Sequence, residues 1–120
     1  TGTDYFASAR LTRQQARDSA IELLQKAADE EGAAEEAATE ASEGIQALAA
    51  YTLAEAQIEN LVTAKGYADC VAFMGAESIS VVVSTRDGAA LTSADVAKIT
   101  DITMTETGYP ASAIKIMAAN

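Results

Sequence analysis

The chain has 120 residues, 49% of them hydrophobic but only 5% aromatic, which suits one domain with a modest core. Its 18 acidic and 8 basic residues give a net charge of -10, a balance that argues against nucleic acid or an anionic lipid surface as partner, since both are held by basic patches. With no histidine, the chain lacks the usual general base, the usual zinc ligand and any Ser-His triad.

The charge is unevenly placed. Residues 1–60 carry 12 acidic and 4 basic side chains, residues 61–120 carry 6 and 4. The first half is acidic and alanine-rich, the second nearly neutral and β-branched. No apolar run reaches the roughly 18 residues that a spanning helix needs. The single cysteine, Cys70, cannot form an internal disulfide and reads as a small buried hydrophobe.

From Asp4 to about Glu30, Phe6, Ala9, Ala16, Ala20, Leu23 and Ala27 recur at helical spacing and predict a first helix with one apolar stripe. Arg10, Arg13 and Arg17 form a basic stripe beside that seam. They suit either a partner-binding face or exposed charge pairs with glutamates of the next helix. Gly32 is the expected break, and a continuous helix through it, pairing between chains, is the rival arrangement. A second helix is expected from about Ala33 to Lys65, its apolar residues falling on two successive faces: Ala38, Ala41, Ile45, Leu48, Thr52 and Ala56, then Tyr51, Ala54, Ile58, Leu61, Val62 and Lys65. Residues 38–56 are therefore expected to pack on the first helix and residues 51–65 to cover a sheet. Gly44 lies mid-helix, where bending is cheap.

Gly66 ends the second helix, and Tyr67 follows where a Schellman cap lays an apolar group on Val62. The pattern then changes from helical to alternating. Val71 and Phe73 oppose Cys70, Ala72 and Met74, and Ile79, Val81 and Val83 oppose Ser80 and Ser84, with Val82 spoiling the polar side. The short link Gly75-Ala76-Glu77 makes these two strands an antiparallel hairpin. After a turn at Arg86-Asp87-Gly88, Thr92 and Asp95 mark an N-cap and capping box, and Val96, Ile99, Ile102 and Thr103 line the inner face of the following helix. Gly108 and Tyr109-Pro110 stop it, and Ala113 to Met117 alternates as a last strand with Ile114 and Ile116 inward. The expected fold is α+β: an N-terminal helical hairpin extension over residues 1–50, then a helix-strand-strand-helix-strand unit over residues 51–120, with two helices on one face of a three-stranded sheet. An edge strand of such a sheet is free to pair with another protein.

Chemistry is sparse. No phosphate-binding loop occurs, no calcium-loop spacing is present, and acid pairs such as Glu35 with Glu36 or Glu40 with Glu43 read as a solvated helix face. No catalytic, cofactor-binding or metal-binding residue is assigned.

Three stretches carry a family resemblance. Asp4-Tyr-Phe-Ala-Ser-Ala-Arg-Leu-Thr-Arg-Gln-Gln-Ala-Arg-Asp-Ser-Ala-Ile-Glu-Leu-Leu24, the passage Ile58 to Val83 with its E-N-L-V-T-A-K-G-Y core, and Glu106-Thr-Gly-Tyr-Pro-Ala-Ser-Ala-Ile-Lys-Ile116 resemble the C-terminal domain of the stage III sporulation protein AH family. The resemblance implies a ring-building motif of the kind found in flagellar and type III secretion basal-body rings, without enzymatic activity or cofactor. It also implies a mother-cell membrane anchor outside this stretch, a position between the two membranes around the forespore, and a channel or zipper formed with the forespore membrane protein stage II sporulation protein Q. Residues Ile114, Lys115, Ile116 and Met117 at a strand edge, with Arg10, Arg13 and Arg17, are the expected partner-binding residues. The alternatives are a ring component of another secretion or flagellar apparatus and, in a different class, a small acidic ligand-binding domain or enzyme. Self-association into a ring is expected to need the anchor or the partner, as no large exposed apolar stripe is evident.

Overall fold

In the computed structural model, residues 2–30 and 34–119 are described, and they form α1 (Gly2–Asp29), α2 (Glu35–Ala64), β1 (Asp69–Met74), β2 (Ile79–Ser84), α3 (Ser93–Thr107) and β3 (Ile114–Ala118). The expected turn at Gly32 lies outside the described residues. α1 and α2 pack on each other within one chain, as an intrachain hairpin requires.

The sheet order is β1-β2-β3. β1 and β2 are antiparallel, with Asp69 opposite Ser84 and Met74 opposite Ile79, while β3 runs parallel to β2 with Ile79 beside Ile114 and Val83 beside Ala118. A parallel neighbour requires a crossover, and α3 supplies it. Its start is built as the sequence specifies: Thr92 Oγ1 accepts from the Asp95 amide at 3.1 Å, and the Thr92 amide donates to Asp95 Oδ2 at 2.8 Å.

The main core lies between the sheet and the helices α2 and α3. Ile58 and Val62 of α2 and Ile99 of α3 meet Cys70, Ala72, Ile79, Val81 and Val83, and Tyr67 closes one end. Gly66, at φ +105°, makes the bend that puts Tyr67 there.

A second, smaller core occupies the opposite face. Phe6 of α1 is buried against Val71 and Val82, with Ala9, Phe73 and Ala119 beside it. Val82, which breaks the polar alternation of β2, is therefore buried under α1.

Three helical expectations need correction. Leu23, placed in the α1 stripe, is 67% exposed, Ala16 and Ala27 are also exposed, and Ile21 and Leu24 turn inward instead. The seam of α1 runs through Arg10, Arg13, Arg17, Ile21, Leu24 and Ala28, so the arginines lie in it rather than beside it. On α2 the buried band turns around the helix as expected, with Ala38, Ala41, Ile45 and Leu48 buried or half-buried in the first half and Tyr51, Ala54, Ile58 and Val62 in the second, but Thr52, Ala56, Leu61 and Lys65, expected within it, are exposed. Repeats of three and four residues drift slowly around a 3.6-residue helix, and one band thereby reaches α1 first and the sheet later. Val96 of α3, expected inward, is exposed. Gly44 serves close approach: a Cβ there would stand 3.2 Å from Leu24 Cδ1 of α1.

Candidate functional site

Two edges bound the sheet, and they differ in how their backbone groups are satisfied. Along β1, Val71 and Phe73 address β2, and the alternation turns Cys70, Ala72 and Met74 outward. Side chains meet them there. The Cys70 amide donates to Asp69 Oδ1 at 2.8 Å, and the Cys70 carbonyl accepts from Arg10 Nη2 at 2.8 Å. The Ala72 amide donates to Glu59 Oε2 at 2.9 Å, and the Ala72 carbonyl accepts from Arg13 Nη1 at 2.5 Å. The Met74 amide donates to Glu55 Oε2 at 2.7 Å.

The same side chains are ion-paired with one another. Arg10 pairs with Asp69, Arg13 Nη1 lies 2.6 Å from Glu59 Oε2 and 3.7 Å from Glu55 Oε1, and Arg17 grips Glu55 with both nitrogens, Nη1 at 2.5 Å from Oε1 and Nη2 at 3.2 Å from Oε2. Arg17 Nη1 also donates to Thr52 Oγ1 at 3.0 Å. Glu55 is 1% exposed, so its charge is tolerated only because two guanidiniums and an amide surround it. The hydrogen bond to Asp69 raises the Arg10 pKa above its usual value. Burial, reinforced by the Glu59 and Asp69 carboxylates, pushes the Cys70 thiol up to about 12, so it stays protonated and unreactive at neutral pH.

Arg10, Arg13 and Arg17 thus come together, with heads spent on carboxylates and carbonyls of their own chain. Charge pairs with glutamates of α2 are thus present, though half-buried instead of exposed; the sequence does not mark Glu55, Glu59 or Asp69 individually, although two arginines four apart opposite two glutamates four apart is a pattern that antiparallel helices can bring into register.

The remaining expected residues lie at the other edge. β3 ends the sheet, with Ile114 and Ile116 half-buried toward the main core and Lys115 and Met117 exposed on the opposite face. The Ala119 amide donates to the Val83 carbonyl at 3.0 Å, which sets residues 115, 117 and 119 toward β2 and turns the backbone groups of Ile114, Ile116 and Ala118 outward. Of these, the Ile114 amide is taken by Ala111 O. Among the described residues no side chain bonds the others.

Elsewhere the surface offers grooves. One of about 410 Å³ follows Glu35, Glu36, Glu40 and Glu43, all from α2, whose carboxylates spread along one helix instead of converging. Among the described residues, no group of three His, Cys, Asp or Glu could hold a metal ion, and no helix is long and apolar enough to cross a membrane.

A family model described as SpoIIIAH-like protein matches residues 1–116. The chain belongs to the SpoIIIAH-like family. That is the family which its sequence resembles. No curated protein matches this SpoIIIAH-like chain. Among solved structures, it is similar to a chain of "Structure of the SpoIIQ-SpoIIIAH pore forming complex", at a TM-score of 0.79 and 20% identity over 96% of this chain and 98% of that one. At that identity the likeness concerns the fold alone.

Proposed function

We propose that this domain is a non-enzymatic interaction component of the channel complex between mother cell and forespore in endospore formation. In this reading it stands in the space between the two membranes and binds a stage II sporulation protein Q-like partner. Family membership and the likeness to a component of a pore-forming complex support the process. The observation that carries the mode of binding is the contrast between the edges: β1 has all three outward amides and the carbonyls of Cys70 and Ala72 occupied by side chains, whereas at β3 the outward amides of Ile116 and Ala118 meet no side chain among the described residues, beside exposed Lys115 and Met117. Ile114, Lys115, Ile116 and Met117 are the proposed docking residues. Arg10, Arg13 and Arg17 contribute by fixing α1 to the sheet. The unit 51–120 is the ring-building part, and the hairpin over residues 1–50 is an extension attached to it.

The test is a titration of this domain against the soluble domain of the stage II sporulation protein Q homologue from the same organism, read by size-exclusion light scattering. A defined complex is expected. Lys115→Glu is expected to leave the circular dichroism and Tm unchanged and to weaken binding at least about tenfold, because it reverses the one charge within β3. Unchanged affinity in that variant removes the β3 edge from the interface. No complex at high micromolar concentration removes the partner-docking reading and favours the alternative, a component of another secretion or flagellar apparatus.

A further inference from the structure

A sheet edge invites strand addition from any source, including further copies of the same chain. What limits it here is the arrangement along β1. The outward amides of Cys70, Ala72 and Met74 donate to the carboxylates of Asp69, Glu59 and Glu55, and the outward carbonyls of Cys70 and Ala72 accept from Arg10 and Arg13, as a neighbouring strand would meet them. These side chains come from two helices and the strand's own first residue, and Arg17 holds Glu55 from behind.

We propose that this ladder of side chains replaces a fourth strand and makes the sheet a one-ended acceptor, open to a single extended strand at β3 and closed at β1 to every strand, a second copy of this chain included. An incoming strand at β1 would have to break charge-assisted hydrogen bonds and leave Glu55 buried without its partners. At Ile116 and Ala118 of β3 it would break no side-chain bond among the described residues. The proposal rests on the reading of β3 as the docking edge, and it adds the chemistry of the occupant. That strand alternates apolar residues, which extend the half-buried row Ile114 and Ile116, with an acidic residue beside exposed Lys115. A second copy fits poorly there. Two β3 strands meeting antiparallel set their Lys115 side chains opposite or diagonal to each other, and two chains of net charge -10 repel at longer range. Joining β3 of one copy to β1 of the next requires the occupied edge.

Amide hydrogen exchange of the unmodified domain, followed by NMR, tests the closed edge directly. The amides of Ala72 and Met74 are expected to be as protected as those of Val71 and Phe73, and those of Ile116 and Ala118 to exchange at least about 100-fold faster. Exchange of Ala72 and Met74 as fast as Ile116 overturns the proposal. In a second experiment, Arg13→Met with Glu59→Leu removes the groups on Ala72 without stranding a charge. This variant is expected to form concentration-dependent oligomers in light scattering, and adding Ile116→Pro, which deletes an outward amide of β3, is expected to abolish them. A folded double variant with the parent's mass at every concentration also overturns it; should the variant fail to fold, the exchange pattern of the parent decides. A failed partner titration alongside the expected exchange pattern removes the docking reading alone and leaves the closed edge standing.

Discussion

Glu55 is the residue on which the junction of α1, α2 and β1 turns. Its carboxylate accepts from Arg17 twice and from the Met74 amide, with Arg13 3.7 Å away, so removing one guanidinium leaves a buried charge short of partners. Arg17→Met is expected to destabilise the fold by about 3 kcal/mol in urea unfolding, the scale for breaking a buried pair from one side. Arg17→Lys should recover little, since one ammonium cannot span both carboxylate oxygens. A second expectation concerns base. Cys70 titrates ordinarily near 9.0 and in the fold at about 12, and Tyr67 near 10.0 and at about 12, both chiefly through burial. The unfolded chain therefore releases these protons first, and stability, full below pH 9, falls as pH rises from 9 toward 12. Thermal melting should show this fall, and Cys70→Ala should flatten it between pH 9 and 10, before Tyr67 contributes. The arginines show where residue-level reading ran out. Their spacing was visible, but whether a guanidinium at a seam faces solvent or a buried carboxylate depends on which helix lies opposite.

At the scale of elements, local signals located nearly everything. The capping box at Thr92 and Asp95, the hairpin around Gly75 and the three alternating strands stand where the sequence pattern put them. The stripe of α1 is not legible in the sequence because alanine is spread over most of its surface, so several stripes look equally apolar and the true one contains three arginines. The other surprise was Val82, whose partner Phe6 is 76 positions away and invisible to local periodicity. Phe6 is fully buried, and Phe6→Ala is expected to cost about 3 kcal/mol and to loosen the first turns of α1 while α2 and α3 keep their core. Chemical denaturation and exchange of the Val71 and Val82 amides would show both effects.

The whole molecule is elongated, 56 × 30 × 19 Å, with the α1–α2 hairpin as its long arm. Nine acids and one lysine between Asp18 and Glu43 put -8 of the net charge of -10 on that arm. Although the arm reads as an extension, its near end is built into the sheet through Phe6 and the arginine ladder. A fragment of residues 51–120 is therefore expected to expose Val71 and Val82 and to unlock the β1 edge, and light scattering should show it aggregating where the complete domain does not. The order of the strands has one more consequence, in time. Among the described elements β3 follows all the others along the chain, and its parallel place beside β2 depends on the α3 crossover. During synthesis, the strand that would receive a partner emerges after the two helices, the hairpin and the crossover that support it, so readiness to dock reports that those elements have already been made.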